Sequence, residues 1–263
     1  MRKGKLVSDG WGPSIEGPAD EIVSDAWNAK TPAQRVKLAR RALEIDLNAI
    51  DAYNIIGIHA PTLAEKIALF READRVGEQL FAPILNDEDM AWWGFIGTRP
   101  WMRARHNLGL ALAEAQDTDA AIEVFRSLIA LNPNDNQGIR YVLLQLFASA
   151  GKYGDCDSLF NLYPDDGSIE FPATKLLIEL AKARPRKSLG TLLADCELSN
   201  SHFLPLVREI AAGGKWPAAS SSQYVEFGSK QQAEIYMREF RGAWTRTPRI
   251  LTNLLAMSSH GKK

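Results

Sequence analysis

Arg103, His106 and Asn107 stand close together in the chain, with Arg99 and Arg105 adding positive charge beside them. Asp51 and Asn54 precede them, and Arg140 and Tyr141 follow. A guanidinium presents a planar fork of N–H groups that matches a carboxylate two bonds at a time, and amide side chains both donate and accept. Gathered on one face, these groups would hold a carboxylate or an acidic peptide, each desolvated charge-assisted bond contributing roughly 1.5–3 kcal/mol. That is binding chemistry rather than bond-breaking chemistry. The alternative use of Arg99, Arg103 and Arg140 is mechanical: they would brace the fold through Asp and Glu partners, Asp135 among them.

The patterns that enzymes need are missing from the sequence. It has no phosphate-binding glycine loop, no G-x-G-x-x-G, no nucleophile elbow and no H-E-x-x-H. His59, His106, His202 and His260 are scattered without ligand spacing. Asp87-Glu88-Asp89 and Asp165-Asp166 sit in turn-like stretches, where solvated loops account for them. Cys156 and Cys196 suit small buried hydrophobes in a reducing compartment better than a disulfide or a zinc site. No catalytic residue, cofactor or metal is expected.

The 263 residues carry a formal net charge of −1, which argues against whole-surface attraction to nucleic acid or anionic membrane. The N-terminus is basic but lacks the apolar core of a signal peptide. The most apolar run, Ile139 to Ala150, is interrupted by Arg140 and Gln145 and falls short of the roughly 20 residues that span a bilayer. The expectation is a soluble, cytoplasmic protein.

Residues 1–20 contain Gly10, Gly12, Pro13, Gly17 and Pro18, a composition that predicts a flexible, poorly ordered arm. Beyond it the spacing is helical. Glu21 to Trp27 and Pro32 to Asp46 form a first helical hairpin, with Thr31 as the cap of the second helix. Tyr53, Ile56 and Gly57 open a second hairpin, where Gly57 lets one helix cross the next closely. Pro61-Thr62 then starts a longer helix carrying Ile67, Phe70, Ala73, Val76 and Leu80. Residues 82–100 break the pattern. Their aromatic group, Trp92, Trp93 and Phe95, either plugs the gap before the next hairpin or forms a sticky exposed surface.

The third hairpin pairs Leu108, Gly109 and Leu112 with Ala121, Phe125 and Leu128, and Pro133 closes it. The fourth carries Leu143, Leu144 and Phe147, turns at Gly151, and continues through Cys156, Leu159 and Phe160. Cys156 takes the small-residue slot that Ala121 fills one unit earlier, so its expected role is packing. Pro172 to Ala183 and Leu189 to Leu198 make a weaker fifth pair, followed by a loop marked by Gly213-Gly214 and Ser220-Ser221-Ser222. A last helix is expected from Ser229 to Thr247, ending at Pro248, with a Ser229/Gln232 capping box and a stripe of Ala233, Tyr236, Phe240 and Trp244. The expected organisation is an arm over 1–20, helical repeats over 21–200 and a C-terminal capping segment over 201–263.

The series Gly109…Ala121…Phe125…Leu128, followed by Asn132-Pro133-Asn134-Asp135-Asn136-Gln137-Gly138-Ile139-Arg140, resembles a tetratricopeptide (TPR) unit and the start of the next. With Thr98-Arg99-Pro100-Trp101-Met102-Arg103-Ala104-Arg105 before it, the phrase resembles bacterial TPR proteins of unassigned function, and a related phrase occurs in a eukaryotic suppressor-of-tumorigenicity family. The likeness runs from about Ile22 to Leu254 and is strongest over 98–141. It implies an all-α, TPR-like α-solenoid of helical hairpins with a C-terminal capping helix, and an interaction role without catalytic residues. Some relatives carry a Cys-rich metal-binding module after the repeats, which this sequence lacks. The eukaryotic relatives are membrane-associated, which nothing in this sequence supports.

In such a solenoid the first helix of each hairpin lines a concave groove. The resemblance therefore assigns Asn54, Arg99, Arg103, His106, Asn107, Arg140 and Tyr141 to or beside a peptide-binding groove. The Lys-Asn…Asn…Lys-Arg order of chaperone-binding carboxylate clamps is not reproduced. The expected function is a non-enzymatic scaffold or adaptor that binds a protein or peptide in that groove, the arginines favouring an acidic one. Two alternatives are a helical-repeat RNA-binding protein, disfavoured by the net charge, and a structural protein that self-associates through Trp92/Trp93 or the terminal helix.

Overall fold

A computed structural model describes residues 3–9, 12–183, 189–219 and 225–258. Apart from one two-stranded hairpin the described chain is helical, and it divides into two compact units, 1–139 and 140–263. The division falls within the stretch of 21–200 that the sequence assigns to repeats. None of the described helices is long and apolar enough to cross a membrane.

The first unit opens with a correction to the sequence expectation. Instead of a poorly ordered arm, β1 (Lys5–Asp9) and β2 (Gly12–Glu16) pair antiparallel, with Leu6 opposite Ile15. Gly4 and Gly17 serve close approach to Asp46 and Asn48. The Gly4 N–H donates to Asp46 Oδ2 at 2.7 Å, Asn48 Nδ2 donates to the Gly4 carbonyl at 2.7 Å, and a Cβ on Gly17 would stand 2.3 Å from the same Asp46 oxygen. Asp46 is only 2% exposed and is held by backbone N–H donors, among them Gly4 and Asn48.

Six helices follow: α1 (Asp20–Asn28), α2 (Pro32–Ile45), α3 (Ile50–Ile58), α4 (Leu63–Phe81), α5 (Arg99–Glu114) and α6 (Thr118–Leu131). Thr31 and Thr62 start α2 and α4 as caps, each hydroxyl accepting the backbone N–H three residues on. Each helix packs on the next from α1 to α6, most extensively α4 on α5, and α1 also touches α3 and α3 touches α5. Ala26, Ala39, Ala42, Ala52 and Ile55 form the core of the first two pairs. Between α4 and α5, Trp92 is 3% exposed and meets Phe81 and Trp101 edge-on, with ring centroids 5.6 and 5.2 Å away. Its carbonyl accepts the Thr98 hydroxyl. Trp92 is therefore the plug, while its neighbour Trp93 stays half-buried at the surface.

The second unit holds α7 (Ile139–Ala150, whose first residue belongs to the first unit), α8 (Tyr153–Leu162), α9 (Glu170–Ala181), α10 (Leu189–Ser199), α11 (Phe203–Ala211), α12 (Lys230–Glu239), α13 (Arg241–Thr245) and α14 (Pro248–Ser258). Half of the expected capping box forms, the Ser229 hydroxyl accepting the Gln232 N–H at 3.2 Å, but Gln232 Oε1 accepts the Gly228 N–H at 2.8 Å rather than that of Ser229. Ala233, Tyr236, Phe240 and Trp244 are all buried, with Tyr236 and Phe240 stacked at 4.4 Å. The helix expected over Ser229 to Thr247 is instead two, broken at Phe240, and Pro248 begins a further helix rather than ending one. Proline suits a first helical turn because its missing N–H would have no partner there. Helix α11, with Phe203, Leu204, Val207 and Ile210 buried, adds an element that was not expected. Ser220 to Tyr224 and His260 lie outside the described residues.

Candidate functional site

Helix α5 is built to bury one face and show another. Trp101, Met102, Ala104, Leu108, Ala111 and Leu112 are buried, and Gly109 admits the ring of Phe125 from α6. The remaining positions Arg99, Arg103 and His106 follow at steps of four and three residues and so share a side. With Trp93 from the preceding loop and Gln137 from the turn after α6, they line a cavity of about 340 Å³. Three of the residues expected to form the groove thus meet in one place.

The two arginines there are not equivalent. Arg99 gives Nε and Nη2 to the Trp93 carbonyl at 3.3 and 3.2 Å and lays its guanidinium 4.7 Å from the Trp93 ring centroid. Among the described residues it has no carboxylate partner. Arg103 pairs with Asp51 at 2.5 Å and lies 5.1 Å from the Trp27 ring centroid. Asp51 also accepts from Trp27 Nε1 at 3.1 Å and from Asn54 Nδ2 at 2.9 Å, so its charge is met three times over. Arg105, on another side of the helix, is tied to Asp74 at 2.8 Å.

Burial pushes the His106 imidazole below its ordinary pKa, against a smaller upward pull from Asp135. Its ring meets Phe125 edge-on at 6.1 Å. Burial disfavours the charged form, so His106 enters the cavity as a neutral ring that can donate and accept.

Asn54 is placed differently from the expectation. It is fully buried, and its amide ties α3 to α5 by donating to both Asp51 and the Pro100 carbonyl, the latter at 2.9 Å. It is a buried bracket between α3 and α5 rather than an exposed group, because the start of α5 lands on top of it. Its Oδ1 is buried without a donor, as is the Nδ2 of Asn107 without an acceptor. Gln137 was not singled out from sequence. Its Nε2 reaches the Met102 carbonyl at 3.4 Å, while its Oε1 is buried and unpaired.

Arg140 and Tyr141 belong to the second unit and gather around Asp166. Arg140 Nε donates to Asp166 at 2.5 Å, the Tyr141 hydroxyl donates to the same oxygen at 3.0 Å, and the guanidinium lies over the Tyr141 and Tyr163 rings. Burial alone would raise the Asp166 pKa. Hydrogen bonds from the Ser168 side chain and backbone, Arg140 and Tyr141 outweigh it and hold the carboxyl below its usual range. Here the bracing use of arginine is on view, with Asp166 as the acidic partner.

A larger cavity of about 710 Å³ lies between α2, α3 and α4, with Val36, Leu43 and Ile56 on its walls and His59 beside them. It contains none of the expected site residues. Both cysteines are fully buried, and burial pushes each thiol up to about 12, so neither is poised as a nucleophile. A scan of protein-family models finds none that matches this chain, and a search of curated proteins likewise finds no match.

Proposed function

We propose that this protein is a non-enzymatic interaction module, a TPR-type stack of helical hairpins whose α5 face takes a peptide or protein segment with acidic character. The observation that carries the proposal is the single cavity shared by Arg99, Arg103, His106, Trp93 and Gln137. A cavity with one uncompensated guanidinium, a neutral imidazole and an indole offers affinity for a carboxylate next to apolar surface. Contacts of α1 with α3 and of α3 with α5 support the solenoid reading, since stacked hairpins bring their first helices side by side. The repeated fit of a glycine against a ring, Gly57 on Phe70 and Gly109 on Phe125, supports it again.

The test is selection from a displayed random-peptide library with the intact protein and with Arg99→Glu. The intact protein is expected to enrich segments containing Asp or Glu, and the variant to lose them. Absence of any enrichment, or identical enrichment by both proteins, overturns the proposal. RNA binding would show itself separately, as single-strand binding that weakens steeply with salt.

A further inference from the structure

We infer that a second cavity, joined to the first through the Asp51–Arg103 pair, takes a basic side chain of the same segment whose acidic residue lies at Arg99. This rests on the peptide-binding reading above and names the charge pattern of its ligand, one acidic and one basic residue a short stretch apart.

The two cavities are neighbours. The second, of about 350 Å³, is lined by β2, α1, the start of α3 and the chain entering α5. Asp51 belongs to its wall and Arg103 to the wall of the α5 cavity, and the two are 2.5 Å apart. The Arg103 guanidinium lies 5.1 Å from the ring centroid of Trp27, which also lines the second cavity. Pro100 faces the second cavity and the adjacent Arg99 the first. An extended chain advances about 3.3–3.6 Å per residue, so a segment seated in one cavity reaches the other within a few residues.

Their charges are opposite. The apolar part of the second wall, Ile15, Val23, Ile50, Ile96 and Trp27, suits an aliphatic stem, and Ile96 is 76% exposed. The charged part is acidic throughout, Asp20, Asp46 and Asp51, with no basic residue in the lining. Arg103 answers Asp51. Asp20 and Asp46 have no basic partner among the described residues; Asp20 accepts the Gly17 N–H, and Asp46 those of Gly4 and Asn48. Burial pushes the Asp20 carboxyl above its ordinary pKa, and the charge of Asp46 adds to this against the Gly17 N–H. Asp46 is 2% exposed and contributes charge rather than contact, whereas Asp20 is exposed and open to a ligand. Among the described residues no three acidic, cysteine or histidine side chains are placed to hold a metal ion. What fits is an organic cation on an apolar stem, the form of a lysine or arginine side chain. Seated there, it relieves the repulsion between Asp20 and Asp46 and lays its stem on Ile96 and Trp27.

The test uses the full chain, isotope-labelled, with the Trp27 indole N–H and the Arg99 Nε–H followed by NMR. The single-residue probes are N-acetyl-lysine methylamide, its norleucine counterpart, which keeps the stem and lacks the ammonium, and N-acetyl-glutamate methylamide. The joined probes are peptides that link one lysine to one glutamate through no glycine or a few, in both orders. The lysine compound is expected to move the Trp27 signal and to bind about tenfold more tightly than the norleucine one, the worth of one charge-assisted hydrogen bond. One joined peptide or more should move both signals and bind about a hundredfold more tightly than the lysine compound. Asp20→Asn, which keeps an acceptor for the Gly17 N–H, should weaken that peptide about tenfold, and Arg99→Gln should do the same. Norleucine binding as tightly as lysine overturns the inference, and that comparison needs no variant to fold. Lysine binding without a gain in any joined peptide overturns it too, because the cation then belongs to a separate molecule. If the joined peptides gain nothing while library peptides still bind through Arg99, only this inference falls. Loss of Arg99-dependent binding by every acidic ligand removes the underlying reading instead.

Discussion

Gly109 lies against the ring of Phe125 so closely that a Cβ there would stand 2.6 Å from Cε1. The same fit joins Gly57 to Phe70, where the distance would be 2.5 Å. In both pairs the glycine is on the first helix of a hairpin and the ring on the second, and the contact sets how near the two axes come. Alanine at position 109 would gain about 1 kcal/mol of helix propensity. It would lose about 1–3 kcal/mol to overpacking against a fully buried ring. The expected result of Gly109→Ala is a net loss of up to roughly 2 kcal/mol in urea unfolding. In the double variant with Phe125→Leu the added methyl finds room, so the combined loss should be smaller than the sum of the two single losses. Additive losses would show that the contact does not set the helix spacing.

Asp51 and Arg99 separate stability from binding. Asp51 accepts from Arg103, Trp27 and Asn54, and its side chain is 14% exposed. Asp51→Ala strands those donors and should destabilise the first unit by about 1–3 kcal/mol, the cost of unpaired buried polar groups. Arg99 has only the Trp93 carbonyl and ring to lose, so Arg99→Ala should stay within about 0.5–1 kcal/mol of the parent. Chemical denaturation of the two variants decides it. A larger loss for Arg99→Ala than for Asp51→Ala would mean that Arg99 is a brace rather than a ligand group.

His106 makes the site pH-dependent in a definite direction. Its folded pKa lies below its unfolded value, chiefly because of burial, so the folded protein binds fewer protons there than the unfolded chain. Stability from this residue is fully present above the unfolded value of about 6.5 and is lost as pH falls through the folded one. Replacing His106 with Gln should therefore remove part of the decline in stability between neutral and mildly acidic pH. An anion held between Arg99 and Arg103 favours the imidazolium, so ligand should raise the His106 pKa and peptide affinity should increase on acidification. Titration of the ring by NMR with and without peptide checks the sign. A ligand-induced decrease would place the anion elsewhere.

What could be read from the chain alone follows the reach of each interaction. The caps at Thr31 and Ser229 act over three residues, and both form. The start of α14 was hidden because proline is compatible with both a helix end and a first turn. The β1–β2 hairpin depends on Asp46, which meets Gly4 across 42 residues of chain, and composition carries no trace of that contact. The site divides in the same way. That Arg99, Arg103 and His106 share a cavity was legible as neighbourhood, because steps of four and three residues put them on one side of a helix. Asn54 was misplaced because the Pro100 carbonyl that covers it arrives from 46 residues later. Gln137 passed unnoticed because its importance depends on Met102, 35 residues away.

The two cysteines test whether packing alone accounts for them. Cys156 is fully enclosed on α8, and Cys196 is equally enclosed on α10. Burial dominates both thiols, with Asp157 and Asp155 near the first and Asp195 and Glu197 near the second pushing the same way, up to about 12. Thiolate is the reactive form, so at pH 8 almost none is available while the protein is folded. Ellman's reagent should find neither thiol on the time scale of minutes and both at once in denaturant. Cys156→Ala should cost about 1 kcal/mol, the loss of one small buried group, and leave peptide binding unchanged. Rapid labelling of Cys156 in the folded protein would require α8 to open locally, and would move that helix from the rigid scaffold to the segments that respond to a ligand.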